Sequence, residues 1–145
     1  MHSTTKFVLP LLFAVTAAAP AGAADLTVTD AWFRALPGGL PAGGYFSLNN
    51  AGASPVILTG AQSPACGMLM LHQSMESGGM SRMNDVRSLS IPAGGSITFA
   101  PGGYHLMCLN PTSAMAPGKT VPVTLRFANG ATEEATFAVR NATGK

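Results

Sequence analysis

Two histidines and two methionines in this sequence are placed so that they could share one metal ion. His105 and Met107 are separated by a single residue in a strand-like run, and alternate residues of a strand point to the same face. His72 ends an earlier apolar run, and Met83 lies just beyond a Gly-rich stretch that would bring the chain back towards it. We therefore expect these four side chains to offer one ion two imidazole nitrogens and two thioether sulfurs.

The donor types indicate which metal would bind. Neutral thioethers bind hard ions such as Ca²⁺ and Mg²⁺ poorly, and Zn²⁺ sites use cysteine, histidine or carboxylate ligands. Cu(I) is a soft ion, and this donor set suits it. Thioethers need no deprotonation and form no disulfides, so they remain available in an oxidising compartment where thiolates would be lost. The sequence therefore predicts a Cu(I) site.

Methionines are concentrated around the first of these histidines, since five of the eight fall within sixteen residues. The five are Met68, Met70, Met75, Met80 and Met83. Because Met68 and Met70 lie in an apolar run, we expect them to fill gaps in the core, for which the flexible methionine side chain is suited. Residues 73–79 are polar and Gly-rich, and we expect a loop there. Exposed thioethers in such a segment, at Met75 and Met80, would be open to oxidation.

The first 24 residues have the features of a secretory leader. A positive charge precedes an apolar run over residues 7–19, and Ala21 and Ala23 occupy the small-residue positions of an A-x-A cleavage site. A membrane anchor is the less favoured alternative, because Pro10 interrupts the run, Pro20 ends it, and a span needs ~20 apolar residues. We expect residues 25–145 to be the mature domain, outside the cytosol and without a membrane span.

Composition limits the class of protein. The 145 residues suit a single domain, and with 47% hydrophobic and 10% charged residues the chain can bury a core. Its net charge of +2 is far below that of a nucleic-acid-binding surface, so we expect no nucleic-acid partner. No Ser/His/Asp set, phosphate-binding loop or acid and base pair can be assembled, so we do not expect an enzyme.

Short apolar runs separated by turn residues indicate an all-β fold. The chain has 17 glycines and 11 prolines, which disfavour long helices and suit short strands. Two runs, 121–128 and 131–140, flank Asn129-Gly130, the strongest short hairpin signal that a sequence carries. We predict about seven to nine strands, arranged as a sandwich or a small Greek-key barrel.

Cys66 and Cys108 are the only cysteines, and an even number in an exported chain predicts a disulfide. Metal binding by these thiols is the less favoured alternative. Cys108 should point away from the face that carries Met107, and Cys66 lies roughly 20 Å along an extended chain from His72. A bridge would tie the strand that leads to His72 to the strand of His105 and Met107.

The spacing of the four donors resembles a known motif, the H-x10-M-x21-H-x-M pattern of the periplasmic copper chaperone family called PCu(A)C. The matching positions are His72, Met83, His105 and Met107. Other segments similar to that family are residues 30–32, 42–46, 92–95 and 101–107. The resemblance extends over nearly all of residues 25–145.

This resemblance implies a cupredoxin-like β-barrel that binds Cu(I) through these four side chains. It further implies copper delivery in the periplasm, in several members to the CuA centre of cytochrome c oxidase, so that oxidase subunit II is an expected acceptor. A Sco-type thioredoxin-like protein is a second expected partner. Many relatives have a methionine directly after the first histidine. Here that residue is Gln73, so Met75 or Met80 is the expected accessory donor.

Two other classes of protein remain as alternatives. A redox cupredoxin needs a cysteine thiolate, two histidines and an axial methionine in one blue-copper site, and the cysteines here are poorly placed for that. An exported structural β-sandwich would have incidental methionines. Aromatic residues such as Trp32, Phe33, Tyr45 and Phe46 are expected to pack in the core under either interpretation.

Overall fold

The computed structural model describes residues 25–145, so the predicted leader lies outside the described residues. Within this range the chain forms ten β-strands and one short 3₁₀ turn at Pro37–Gly39, and no helix is long and apolar enough to cross a membrane. The strands are β1 (Leu26–Arg34), β2 (Ala42–Asn50), β3 (Val56–Gln62), β4 (Cys66–Ser77), β5 (Met80–Asp85), β6 (Leu89–Ile91), β7 (Ser96–Phe99), β8 (Tyr104–Pro111), β9 (Thr120–Phe127) and β10 (Thr132–Arg140).

The strands form one sheet in the order β5-β4-β8-β2-β1-β10-β9-β3-β6, and β7 pairs with β2 beside β8. Neighbouring strands are antiparallel, except that β1 and β10 run parallel. Because β3 also packs against β4, which is not its ladder partner, the sheet curls around a single core. The all-β prediction is confirmed, with ten strands in residues 25–145 rather than about seven to nine.

Of two predictions that involve glycine-containing turns, one is confirmed and the other is wrong. The predicted hairpin at Asn129-Gly130 is confirmed, because β9 and β10 pair across it. The loop predicted at residues 73–79 is wrong, since β4 continues to Ser77 and turns through Gly78 and Gly79 into β5. Both glycines have positive φ, 60° and 78°, as a tight two-residue hairpin requires. A ladder bonds through the backbone, so a polar composition did not prevent strand pairing.

Alternation along the strands decides which side chains enter the core. Phe33 of β1 and Phe46 of β2 are buried and both pack against Phe137 of β10. Trp32 and Tyr45, each next in sequence to a buried phenylalanine, lie instead on the outer face, where their rings are 4.9 Å apart. Their assignment to the core was therefore wrong.

The same alternation corrects the expectation for the first two methionines of the cluster. In β4, Leu69 and Leu71 are buried in the core, so Met68 and Met70 point to the outer face. The side chain of Met68 is 55% exposed, and that of Met70 is partly buried. Neither is a core residue, which leaves thioethers on the outside of the sheet.

Candidate metal centre

The histidines and Met107 lie on the outer face of two paired strands. His72 in β4 is directly opposite His105 in β8, and Met70 is directly opposite Met107. Directly opposite residues of an antiparallel pair share a face. Leu71, between Met70 and His72, points into the core. The register of one strand pair thus brings together three of the four predicted donors.

Met83 reaches the same face from β5. It is directly opposite Ser74, which lies two residues beyond His72 in β4 and shares its face. Met83, His105 and Met107 line one surface cleft of about 260 Å³. Met83 is 60% exposed and Met107 is partly buried, whereas His105 is only 5% exposed. These donors therefore extend from the rim of the cleft to its floor.

The ring of His105 is oriented by a backbone contact and leaves one nitrogen free. Its Nδ1 is 3.2 Å from the carbonyl oxygen of Gly103, so the neutral ring donates from Nδ1, and its Nε2 is buried without a hydrogen-bond partner. Burial lowers the pKa of His105, the Gly103 contact raises it, and the nearby His72 ring lowers it further, with a net decrease. The ring is thus neutral, with a lone pair on Nε2.

His72 stands against His105 and is flanked by a carboxylate. The two ring centroids are 5.7 Å apart and the ring planes meet at 87°. Nε2 of His72 lies 2.9 Å from a carboxylate oxygen of Asp85 without hydrogen-bond geometry, and Nδ1 is buried without a partner. Asp85 is opposite His72 in the ladder and is 69% exposed. Its negative charge is placed to attract a cation to this side of the cleft.

These observations fit a soft cation. Buried polar atoms without partners are rare in folded proteins and need an explanation such as an unseen ligand. Two such nitrogens are Nδ1 of His72 and Nε2 of His105, and His105 lines the cleft beside the thioethers of Met83 and Met107. In the part of the chain that the structure describes, no three His, Cys, Asp or Glu side chains cluster closely enough to hold a metal. A metal bound here would therefore depend on methionine sulfur, as Cu(I) coordination allows.

The two expected accessory donors lie elsewhere. In the β4–β5 hairpin, Met75 is opposite Arg82 and Met80 is opposite Ser77, whereas Met83 is opposite Ser74. Alternation therefore puts Met75 and Met80 on the face opposite to that of Met83. The sulfur of Met75 accepts a hydrogen bond from the side-chain amide of Asn84 at 2.9 Å. Neither methionine lines the cleft of His105 and Met107, although Met75 and Met83 both line a second surface cleft that contains neither histidine.

The two cysteines form the predicted disulfide, which links β4 to β8. Cys108 is fully buried in the core, on the side of β8 opposite to Met107, and Cys66 packs against the same core. Both thiols are consumed by the bridge. Because a blue-copper site needs a thiolate, the redox cupredoxin alternative has no ligand to use.

Arg34, Gly43 and Tyr45 are among the cleft-lining residues that the sequence did not assign to the site. Gly43 of β2 is opposite both Arg34 of β1 and Met107 of β8. A Cβ atom at Gly43 would lie 2.7 Å from the hydroxyl oxygen of Tyr45, so the missing side chain makes room for that hydroxyl. A glycine within a strand is the sequence signal for such a close approach.

The comparisons with known proteins agree with this fold. A family model described as "Putative lipoprotein LpqE-like" matches residues 26–139. The chain belongs to the LpqE-like family. A protein similar to this LpqE-like chain, "Putative lipoprotein Lxx21020" of Leifsonia xyli subsp. xyli, is 33% identical over 131 residues, which are 89% of this chain and 78% of that protein.

Solved structures resemble the LpqE-like domain along most of its length. The apo form of DR1885 from Deinococcus radiodurans is 32% identical, with a TM-score of 0.62 and 97% of each chain covered. Its CuI form is 29% identical, with the same TM-score and coverage of 87% of this chain and 83% of that chain. The copper-bound PCuAC domain from PmoF2 has a TM-score of 0.66 over 81% and 93% of the two chains, and at 22% identity it shows the fold alone. The predicted PCu(A)C-like, cupredoxin-like fold class is confirmed.

Proposed function

We propose that this LpqE-like protein is an exported copper chaperone that binds Cu(I) through His72, Met83, His105 and Met107. The observation that carries the proposal is the cleft in which Met83 and Met107 meet His105, whose Nε2 is buried and unpaired. His72 stands at its edge with a second unpaired nitrogen. A neutral, sulfur-rich donor set of this kind matches a soft monovalent ion.

The similar structures support copper as the cargo. DR1885 has been solved with CuI bound, and the PmoF2 domain has been solved with copper bound. Both have the fold described here, and DR1885 matches this chain with about a third of its residues identical. The four donors of this chain have the spacing of the family motif, which supports the same cargo.

The graded exposure of the donors suits a protein that must release its metal. Met83 lies on the edge strand β5 and is the most exposed of the four donors, whereas His105 is buried. An incoming acceptor ligand can replace the Met83 sulfur first, while His105 and Met107 still hold the ion. Neutral ligands can be exchanged one at a time without protonation, and we propose stepwise exchange as the route of transfer.

We propose that the protein acts after export and passes its copper to another protein. The leader-like first 24 residues and the lipoprotein names of the family and of its Leifsonia relative support export, and we propose the periplasm as the site of action. The proposed acceptor is a copper protein of that compartment, with the CuA site of cytochrome c oxidase subunit II as the candidate. A Sco-type thioredoxin-like protein is the second proposed partner.

An anaerobic Cu(I) titration against a chromophoric chelator tests the site. We expect one ion per chain, with two sulfur and two nitrogen neighbours in X-ray absorption. Met83→Ala and His105→Ala should each weaken binding at least tenfold. The matched control is the Met75→Ala, Met80→Ala double variant, which removes two exposed thioethers from the other face of the same hairpin and should bind like the parent. Equal losses in all the variants, or no binding by the parent, would refute the assignment.

A further inference from the structure

Two arginines enclose the tryptophan beside the metal cleft. The guanidinium carbon of Arg34 is 5.5 Å from the centre of the Trp32 ring, and that of Arg140 is 4.7 Å from it. Arg34 of β1 and Arg140 of β10 are also directly opposite each other in the parallel ladder. Arg34 lies 5.8 Å from the centre of the Tyr45 ring. The outer face therefore presents two stacked cations side by side.

Neither cation is neutralised within the protein. In residues 25–145 the single close contact between a basic and an acidic side chain is that of His72 with Asp85, so Arg34 and Arg140 contact no carboxylate. The Nε of Arg34 is buried and has no hydrogen-bond partner. Like charges that are adjacent in a ladder are unfavourable. An external anion bound to the accessible ends of the two guanidinium groups would relieve this repulsion.

The arginine pair is continuous with the proposed metal site. Arg34 lines the same cleft as Met83, His105 and Met107, and it is separated from Met107 in the ladder only by Gly43. Asp85, the carboxylate at the other end of this face, is four strands away from Arg34. At ~4.8 Å per strand this is about 19 Å, beyond the screening length of about 8 Å in physiological salt. Arg34 is therefore not compensated from that side.

Binding of Cu(I) would increase the uncompensated positive charge of this face. Two imidazoles and two thioethers are neutral, so a bound Cu(I) keeps its full positive charge. The loaded cleft and the arginine pair then form one cationic surface around the partly buried indole ring of Trp32. Surfaces of this kind attract partners of opposite charge and orient them as they approach.

We propose that Arg34, Trp32 and Arg140 form the docking surface for an acidic segment of the copper acceptor, and that carboxylates bound there align the acceptor's ligands with the metal cleft. This inference rests on the proposed chaperone function. Each planar guanidinium group can donate two parallel hydrogen bonds to one carboxylate. Trp32 holds the guanidinium groups in place by stacking, so little side-chain freedom is lost on binding.

Trp32 is the single tryptophan of the chain, so its fluorescence reports directly on this surface without any copper. We expect a pentaglutamate peptide to change the emission of the metal-free protein in a saturable, salt-sensitive way, and a pentaglutamine peptide to have no effect. Arg34→Gln and Arg140→Gln should each weaken pentaglutamate binding at least fivefold. Arg126→Gln is the matched control, because it removes the same charge opposite Thr132, at the far end of β10 from Arg140.

The outcomes of this titration are separable from those of the Cu(I) titration. If the parent binds no Cu(I) but binds pentaglutamate as expected, the chaperone function fails and the anion-docking surface stands. If it binds Cu(I) but pentaglutamate gives no response, or the same response in all the arginine variants, the docking surface is refuted. Binding to vesicles that contain phosphatidylglycerol, without binding to pentaglutamate, would also refute an acidic protein segment as the occupant.

Copper extraction tests the functional consequence. Bathocuproine disulfonate carries sulfonate anions, whereas neocuproine has the same pair of chelating nitrogens and no charge. At low ionic strength we expect the Arg34→Gln, Arg140→Gln double variant to lose Cu(I) to the anionic chelator about tenfold more slowly than the parent. Extraction by the neutral chelator should be unchanged, and so should both rates in Arg126→Gln. Equal slowing with both chelators would mean that the arginines act on the metal site itself, which would contradict the docking role.

Discussion

His72 and His105 lie directly opposite each other in β4 and β8, with ring centroids 5.7 Å apart and ring planes at 87°. The ladder fixes both backbones, so the two imidazoles are held as a pair before any metal binds. Met107 follows two residues after His105 on the same face, and only Met83 comes from a different strand. The proposed site is therefore largely determined by the register of one strand pair.

The pKa of His105 predicts how the metal-free protein responds to acid. Burial, the largest cause, lowers this pKa in the folded state, whereas the unfolded chain titrates near 6.5. Protons therefore bind the unfolded state more strongly, and the free energy of unfolding should decrease as the pH falls below about 6.5 and through the lowered pKa. Urea denaturation between pH 8 and pH 5 measures this decrease.

The variant His105→Gln is the control for that titration, and NMR is the direct check. The variant should lose part of the dependence of stability on pH between pH 6.5 and pH 5. In the parent, long-range nitrogen correlations should show the proton of His105 on Nδ1, next to the carbonyl of Gly103, with Nε2 free. A His105 titration midpoint above 6.5 would contradict the prediction.

The carboxylate of Asp85 should strengthen metal binding through His72. Asp85→Asn keeps the shape of the side chain but removes the charge that lies 2.9 Å from the ring nitrogen. Groups that orient metal ligands typically raise metal affinity about 10- to 100-fold. Because Asp85 is exposed to solvent, we expect its contribution to be near the smaller of these values. We expect a loss of about tenfold in Cu(I) affinity by chelator competition. Glu76→Gln removes the same charge further along the hairpin, and an equal loss there would indicate only a general charge effect.

The Cys66–Cys108 bridge should contribute to both stability and metal affinity. The cysteines are 42 residues apart, and closing a loop of that length is worth about 4 kcal/mol in the chain-entropy model. The Cys66→Ala, Cys108→Ala double variant should lose about that much free energy of unfolding in urea denaturation. It should also bind Cu(I) more weakly, because the bridge ties together the strands of His72, His105 and Met107. Unchanged Cu(I) affinity after reduction of the parent's bridge would show that the bridge does not preorganise the donors.

Two adjacent glycines of β2 should separate effects on the cleft from effects on the core. A methyl group at Gly44 would lie 2.6 Å from the buried Phe33 ring, so Gly44→Ala should cost about 1 to 3 kcal/mol of stability. A methyl group at Gly43 would lie 2.7 Å from the hydroxyl oxygen of Tyr45, the far end of a half-buried side chain that can move. Gly43→Ala should therefore unfold at nearly the parent's urea concentration but change Trp32 emission, because Tyr45 rests on Trp32. A large loss of stability in Gly43→Ala would contradict this assignment of the two faces.

Features within one strand, the Asn129-Gly130 hairpin and the cysteine pairing could be predicted from the sequence, whereas most other contacts between strands could not. Alternation placed His105 and Met107 on one face and Cys108 on the other, as the structure has them. Alternation also places Met68 on the outer face, although the apolar residues around it in the sequence predict burial. Residues 73–79 were mistaken for a loop because ladder bonding depends on the backbone and on positive φ at two glycines, not on apolar side chains.

The positions of Arg34 and Tyr45 in the cleft could not be predicted from the sequence. Arg34 and Tyr45 precede His72 by many residues, and they approach the donors only because β8 pairs with β2 and β2 with β1. Nothing in the local pattern of either strand indicates those pairings. Cleft residues outside the motif therefore had to come from the three-dimensional structure.

The strand pair β4 and β8 places two kinds of sulfur on its two sides. On the inner side Cys66 and Cys108 are oxidised to a disulfide, while on the outer side the thioether sulfur of Met107 keeps lone pairs that could bind a soft ion. The oxidation that completes the fold thus leaves the thioether on the other side unaltered. If the proposed site binds copper, the domain can therefore fold and form its bridge before copper is supplied.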